Sequence, residues 1–120
     1  MKNNLHFKEP LKQTNVIYEY NCPIEECPLQ PKSSYIGCTP TSLSRRLTMH
    51  LSDGAIKLHS QSVHDNQLTR NNLTENTNIL RTVNDQNRMQ ITEAILIKIQ
   101  KPRINRQDTG SVRTLKLFTD

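Results

Sequence analysis

The chain has 120 residues, 33% of them hydrophobic and none of them tryptophan, which leaves room for one small domain with a compact core that disordered tails or a structural metal would suit. Lys and Arg number 16 against 11 Asp and Glu, a basic balance that fits a polyanionic partner such as nucleic acid and equally fits a merely solvated surface. No apolar run approaches the ~18 residues of a membrane span, and three cysteines exclude a fully paired disulfide set.

Residues 1–14 form a polar lead-in containing Pro10. Its opening, "MKNNLHFKEPLKQ", lacks the apolar centre of a secretory signal, so a reducing intracellular setting is expected. "NVIYEY" is a β-type run, with Val16, Ile17, Tyr18 and Tyr20 β-branched or aromatic. The prolines of "CPIEECPLQPKSS" break it into a loop, and "SYIGCT" is a second short strand. Gly37 marks a close approach of the backbone to some neighbour. The loop is too short for a crossover helix, so the two strands form a long-looped hairpin.

Thr41 or Ser42 can cap a helix on which Leu43, Leu47 and Leu51 make an apolar stripe. Arg46 and His50, also four apart, share a second face. Asp53-Gly54 ends this helix. Residues 55–87 are polar and poorly periodic, and "LTENTNILRTV" within them reads as a short helix or a strand. "NRMQITEAILIKIQ" is the strongest helix, so apolar that it is expected to be the central core helix, and Pro102 ends it. "TLKLF" alternates enough for an edge strand. There is no internal repeat, and the order is an α+β layout.

Several groups could carry chemistry. Glu93 lies next to the apolar run, where it either sits at the solvent edge or faces a partner or metal. Arg46 offers planar donors suited to a phosphate, or belongs to a basic helix face. Tyr18 and Tyr35 can relay a proton if their surroundings lower a tyrosine pKa, or pack across the hairpin. Cys22 and Cys27 (C-x4-C) with His59 and His64 (H-x4-H) have spacings compatible with a four-coordinate zinc, or are free thiols and surface imidazoles. The 31 residues between Cys27 and His59 are long for a standard finger. Cys38 reads as a small core residue.

Taken together, these residues resemble the GIY-YIG nuclease family. Val16-Ile17-Tyr18 stands for the first signature and Tyr35-Ile36-Gly37 for the second. "TPTSLSRRLTMH" is similar to the following block, and Glu93 and Asn105 to the later glutamate and asparagine. The resemblance spans roughly residues 15–106, leaving 107–120 as a tail. Val16 departs from the family's glycine. The nearest likeness is to endonuclease domains of Penelope-like retroelements, whose cysteine and histidine positions Cys22, Cys27, His59 and His64 match.

The resemblance implies a three-stranded, mainly antiparallel sheet flanked by helices, with a zinc-finger-like insertion. It implies hydrolysis of a DNA phosphodiester, most simply nicking, with Mg2+ or Mn2+ on Glu93 and a structural Zn2+ on the cysteine–histidine set. Tyr18, Tyr35, Arg46, His50, Glu93 and Asn105 would be the catalytic set, with Asn105 positioning Glu93 or the DNA backbone. Arg45, Arg46, Lys101 and Arg103 would meet DNA. Such domains follow a reverse transcriptase, a partner module not found in this chain, which would make the chain a fragment, a decayed copy or a domesticated gene. Action on chromosomal DNA would require nuclear residence. The alternative is a catalytically inactive, zinc-stabilised nucleic-acid-binding module; a purely structural zinc-stabilised interaction domain is a further rival.

Overall fold

The computed structural model describes residues 10–105. Three antiparallel strands, β1 (Val16–Asn21), β2 (Ser34–Thr39) and β3 (Thr77–Thr82), lie in the order β2-β1-β3. Between β2 and β3 come α1 (Leu43–Ser52), α2 (Ala55–His64) and α3 (Arg70–Asn76), and α4 (Gln86–Gln100) follows β3. The result is a small α+β fold, a three-stranded antiparallel sheet flanked by helices.

The hairpin forms as its sequence dictates. β1 pairs with β2 in a register that sets Tyr18 opposite Gly37, Tyr20 opposite Tyr35 and Ile17 opposite Cys38. Strand residues alternate between faces. Val16, Tyr18 and Tyr20 therefore pack with Leu43 and Leu47 of α1, Ala55 and Ile56 of α2, and Leu73 of α3. Ile17 and Ile36 point the other way and pack with Met89 of α4. Middle strand β1 is thus buried on both faces.

α1 starts where Ser42 accepts a hydrogen bond from the Arg45 N–H and stops at Asp53. Gly54 then takes φ 108°, a backbone state that disfavours any side chain, and this lets α2 start at once. α2 was not apparent in the sequence because its buried residues are Ala55, Ile56 and His59, and a histidine does not register as an apolar mark. "LTENTNILRTV" proves to be both of its alternatives, the end of α3 followed directly by β3. A register shift between Ile17 and Tyr18, where Leu80 has no partner, bulges β3 beside Tyr18.

α4 differs from expectation. It is a surface helix, with Met89 its one buried residue. Leu96 and Ile97 pack partly on the sheet, while Ile91, Ile95 and Ile99 are 60%, 51% and 67% exposed. The helix covers one face of the sheet, so its i, i+4, i+8 isoleucines turn outward. After it, Pro102 and Ile104 are buried, and Arg103 N–H donates to Lys32 O. The predicted "TLKLF" strand and the first nine residues of the lead-in lie outside the described residues. Within the lead-in, Leu11 packs on the core and Gln13 O accepts from Leu43 N–H. Among the described residues no helix is long and apolar enough to cross a membrane.

Candidate active site and metal centre

Tyr18 is wholly buried, and a buried hydroxyl without partners costs about 1–3 kcal/mol. Two partners reach it from α1. Arg46 Nε donates to the Tyr18 oxygen at 3.2 Å, and His50 Nε2 lies 2.7 Å from the same oxygen. An arginine Nε can only donate, so the tyrosine proton points to His50 Nε2, which must then be the unprotonated ring nitrogen. Burial, reinforced by the Arg46 charge, lowers the His50 pKa from 6.5 to about 4, so the ring is neutral near pH 7. Contrary to the lowered pKa expected of a relay tyrosine, burial raises the Tyr18 pKa, with Tyr35 adding to it, so the phenol stays protonated at rest.

The Tyr35 ring lies 5.3 Å from His50, edge-on, and 6.4 Å from Tyr18. The Arg46 guanidinium also interacts electrostatically with Tyr35. Burial pulls the Arg46 pKa down, but the two tyrosines outweigh it and the pKa is raised, so the guanidinium remains charged. Tyr18 is sealed, whereas Tyr35 and Arg46 are only half-buried and form the accessible side of the group. Gly37 explains itself here. A Cβ at this position would stand 2.6 Å from the Tyr18 hydroxyl oxygen and 2.9 Å from the Tyr35 ring. The glycine is required by the tyrosine laid across it.

Glu93 approaches from α4. It is half-buried, and desolvation raises its pKa although the nearby Cys38 thiol and the Arg46 charge both act to lower it. Its own charge in turn helps raise Tyr18. Asn105 performs a different task from positioning Glu93. Its Oδ1 accepts from Ile36 N–H at 2.8 Å and its Nδ2 donates to Ile36 O at 3.0 Å. The side chain thus stands in for a neighbouring strand on β2 and fixes the backbone between Tyr35 and Gly37. Arg45, Lys101 and Arg103 are exposed.

The second constellation lies where β1 runs into the loop. Cys22, Cys27, His59 and His64 bring their ligand atoms within 4.8 Å of one another. Cys22 Sγ is 3.4 Å from His64 Nε2, Cys27 Sγ is 3.6 Å from His59 Nε2, and the two imidazole nitrogens are 3.2 Å apart. A tetrahedral zinc, with its metal–sulfur and metal–nitrogen bond lengths, has sulfur–nitrogen edges of about 3.6 Å and nitrogen–nitrogen edges of about 3.3 Å. The residues present fit that shell, and thiolate with imidazole is a zinc-selecting donor set. All three cysteines are free. Ser33, buried, places its hydroxyl 3.0 Å from Cys27 Sγ, an outer hydrogen bond of the kind that steadies a metal-bound thiolate. His64 closes α2, and its ring folds edge-on against His59 with centroids 4.8 Å apart. A Cys2His2 site at this point ties the inter-strand loop to α2, the helix that directly follows the one bearing Arg46 and His50.

No family model, characterised protein or solved structure matches this chain. Its chemistry must be read from the two clusters. One presents four mutually facing ligands. The other presents a fixed cation, a neutral base and a carboxylate around two tyrosines.

Proposed function

We propose that the chain is a metal-dependent endonuclease of the GIY-YIG type that nicks DNA, with a structural zinc. The observation that carries this reading is the hydroxyl of Tyr18, held between neutral His50 and cationic Arg46 by residues from β1 and α1. A merely structural tyrosine needs one partner, not an unprotonated imidazole on one side and a guanidinium on the other.

In this reading Arg46 binds the scissile phosphate with its planar donors and offsets the charge that builds on it. Engaging the phosphate draws Nε away from Tyr18 and frees the phenol lone pair it occupies. The same movement of Arg46 would open the otherwise sealed Tyr18 oxygen to the attacking water, which hands it a proton while the phenol proton passes to His50 Nε2. His50 is suited to receive it because burial keeps it neutral. Tyr35, on the accessible side, orients the water or the phosphate.

Glu93 fits a hard cation: it is a half-buried carboxylate whose charge is felt by Tyr18. Mg2+ or Mn2+ held there would stabilise the leaving oxygen. Asn105 acts through the Ile36 backbone and is a positioning residue. Arg45, Lys101 and Arg103 supply exposed cations for flanking phosphates.

A plasmid-nicking assay with Mg2+, run beside a gel shift in EDTA, tests the reading. Nicking by the wild type, with Arg46→Ala and Glu93→Gln each reduced by about 10²–10³ and still folded, is the expected result. Salt-dependent DNA binding with no nicking would assign the chain to the non-catalytic nucleic-acid-binding reading. Neither binding nor nicking would leave only the zinc-stabilised scaffold.

A further inference from the structure

α4 is apolar on two sides. Its inner side, with Met89, Leu96 and Ile97, lies on the sheet. On its outer side Ile91, Ile95 and Ile99 are each more than half exposed, and no other large hydrophobic among the described residues is. Single apolar residues on a surface call for no explanation, whereas three in one row at i, i+4 and i+8 do. The row is about 12 Å long, and Ala94 is exposed beside it. Cations frame it. Arg88 comes three residues before Ile91 and Lys98 three after Ile95, so both stand on the outer side, and both are exposed. Glu93, the one acid in α4, lies two residues from Ile91 and from Ile95, on the other side of the helix, and is half-buried. Asp85, just before the helix, accepts from the Asn87 N–H as its cap. The outer face is therefore apolar, basic and without an exposed carboxylate.

We infer that the outer face of α4 docks an amphipathic helix of another protein, one whose apolar stripe is flanked by glutamate or aspartate. The endonuclease reading is not needed for this. A row at i, i+4 and i+8 is a ridge of the kind that seats in the groove of a second helix, and the small side chain of Ala94 lets that helix come close. An added β-strand has nothing to pair with there, because the backbone inside a helix is already hydrogen-bonded. Charge decides which helix fits. Carboxylates beside the partner's apolar stripe meet Arg88 and Lys98 at the rim of the contact, where complementary charge sets partner and orientation. A second copy of this chain brings the same cations against one another, which charge repulsion opposes. DNA satisfies the cations and leaves the isoleucines against a polar, charged backbone.

The test is fluorescence anisotropy with the 120-residue, zinc-loaded chain and labelled peptides of about 18 residues, long enough to form a helix. The first peptide carries leucines at helical spacing flanked by glutamates. A second has lysines in place of the glutamates, and a third has serines in place of the leucines. The first should bind, more tightly at low salt, and the other two should bind more weakly by about tenfold or more. Ile95→Ser should weaken the first peptide by about tenfold. Arg88→Glu combined with Lys98→Glu should weaken it by about tenfold and turn the preference toward the lysine peptide. These positions are exposed, so zinc content and melting temperature should match the wild type, and Ile91→Ser takes the place of Ile95→Ser if the latter unfolds. Equal affinity for the glutamate and lysine peptides overturns the proposal, because the face would then select nothing by charge. Failure to bind the glutamate peptide overturns it as well, and other measurements then name what covers the row. A dimer in sedimentation that Ile95→Ser dissolves names a second copy. Slow alkylation of Ile95→Cys in the free monomer names a segment of this chain outside residues 10–105. Capture by phosphatidylserine vesicles names an anionic membrane.

Discussion

The two clusters share a stretch of chain but differ in how their groups are satisfied. In the Cys22–Cys27–His59–His64 cluster every ligand atom faces the others and the shell is closed. Around Tyr18, hydrogen bonds run from Arg46 through the phenol to His50, and the two ends are unequal: His50 is buried, whereas Arg46 is half-exposed with donors to spare. A closed set of ligands can hold a fold together but has no position for a substrate. A directional chain with one open end can bind a phosphate and move a proton. On the reading proposed above, the first cluster serves structure and the second chemistry, and variants in each should fail in different ways.

The largest effect is expected from the closed cluster. Structural zinc contributes folding free energy outright, on the order of 10 kcal/mol in small zinc domains. Cys27→Ala or His59→Ala should therefore abolish cooperative unfolding, and strong chelation of the wild type should do the same. Elemental analysis should find one zinc per chain, and circular dichroism should follow its loss. Retention of the wild-type melting curve after complete zinc removal would assign these residues to a hydrogen-bonded cluster without metal.

The open cluster should show the opposite pattern. Arg46→Ala removes the donor to Tyr18 and the charge beside Tyr35, at a half-exposed position. It should cost DNA nicking about 10²–10³, equivalent to about 3–4 kcal/mol of transition-state stabilisation, while moving the melting temperature little. A melting temperature that collapses along with activity would make Arg46 a structural clamp and dissolve the contrast.

His50 connects the two kinds of behaviour, since its environment also affects stability. Its pKa falls from 6.5 in the unfolded chain to about 4 in the fold. Between those values the unfolded chain binds more protons, so stability rises with pH across this window and is lost as pH falls through it. Relative to His50→Gln, which can still accept from Tyr18 but does not titrate, the wild type should lose about 3 kcal/mol between pH 6.5 and 4. Arg46, Asp53 and the two tyrosines face His50 in both proteins, and the zinc ligands are common to both. Their titrations therefore largely cancel in the difference. Urea unfolding at several pH values measures it, and parallel stability curves for the two proteins would show that His50 titrates normally.

The legibility of the sequence follows the same division. β1, β2 and α1 could be read because their marks are local: β-branched and aromatic residues on the strands, leucines every four residues and Ser42 as a cap on the helix. The group around Tyr18 followed, because Arg46 and His50 are fixed by helical spacing and the tyrosines by strand alternation. α2 escaped because its inward face depends on His59, a polar residue that is buried in company with other ligands. β3 was legible only as one of two alternatives, because it is an edge strand with mostly exposed residues and carries no clear alternation. In α4 the sequence shows an apolar helix but cannot show that the sheet offers it one face only, which leaves Ile91, Ile95 and Ile99 outside. The role of Asn105 depends on where the chain returns after α4, and no local pattern encodes its contact with Ile36.

Gly37 yields the smallest and sharpest test of the open cluster. Its backbone is extended, so the residue is present for space and not for an unusual φ. A methyl group there would meet the Tyr18 hydroxyl at 2.6 Å and its ring carbon at 2.7 Å, well inside van der Waals contact. Tyr18 has no exposed surface and cannot step aside without disturbing His50 and Arg46. Gly37→Ala should therefore destabilise by about 1–3 kcal/mol, the usual cost of overpacking. It should also lower nicking by more than the unfolded fraction explains, because the displaced phenol loses its short contact with His50. A double variant with Tyr18→Phe separates the two effects. Phe removes the oxygen that the new methyl would strike most closely, so part of the stability should return while nicking does not. Recovery of both would mean that the Tyr18 hydroxyl matters only for the space it fills.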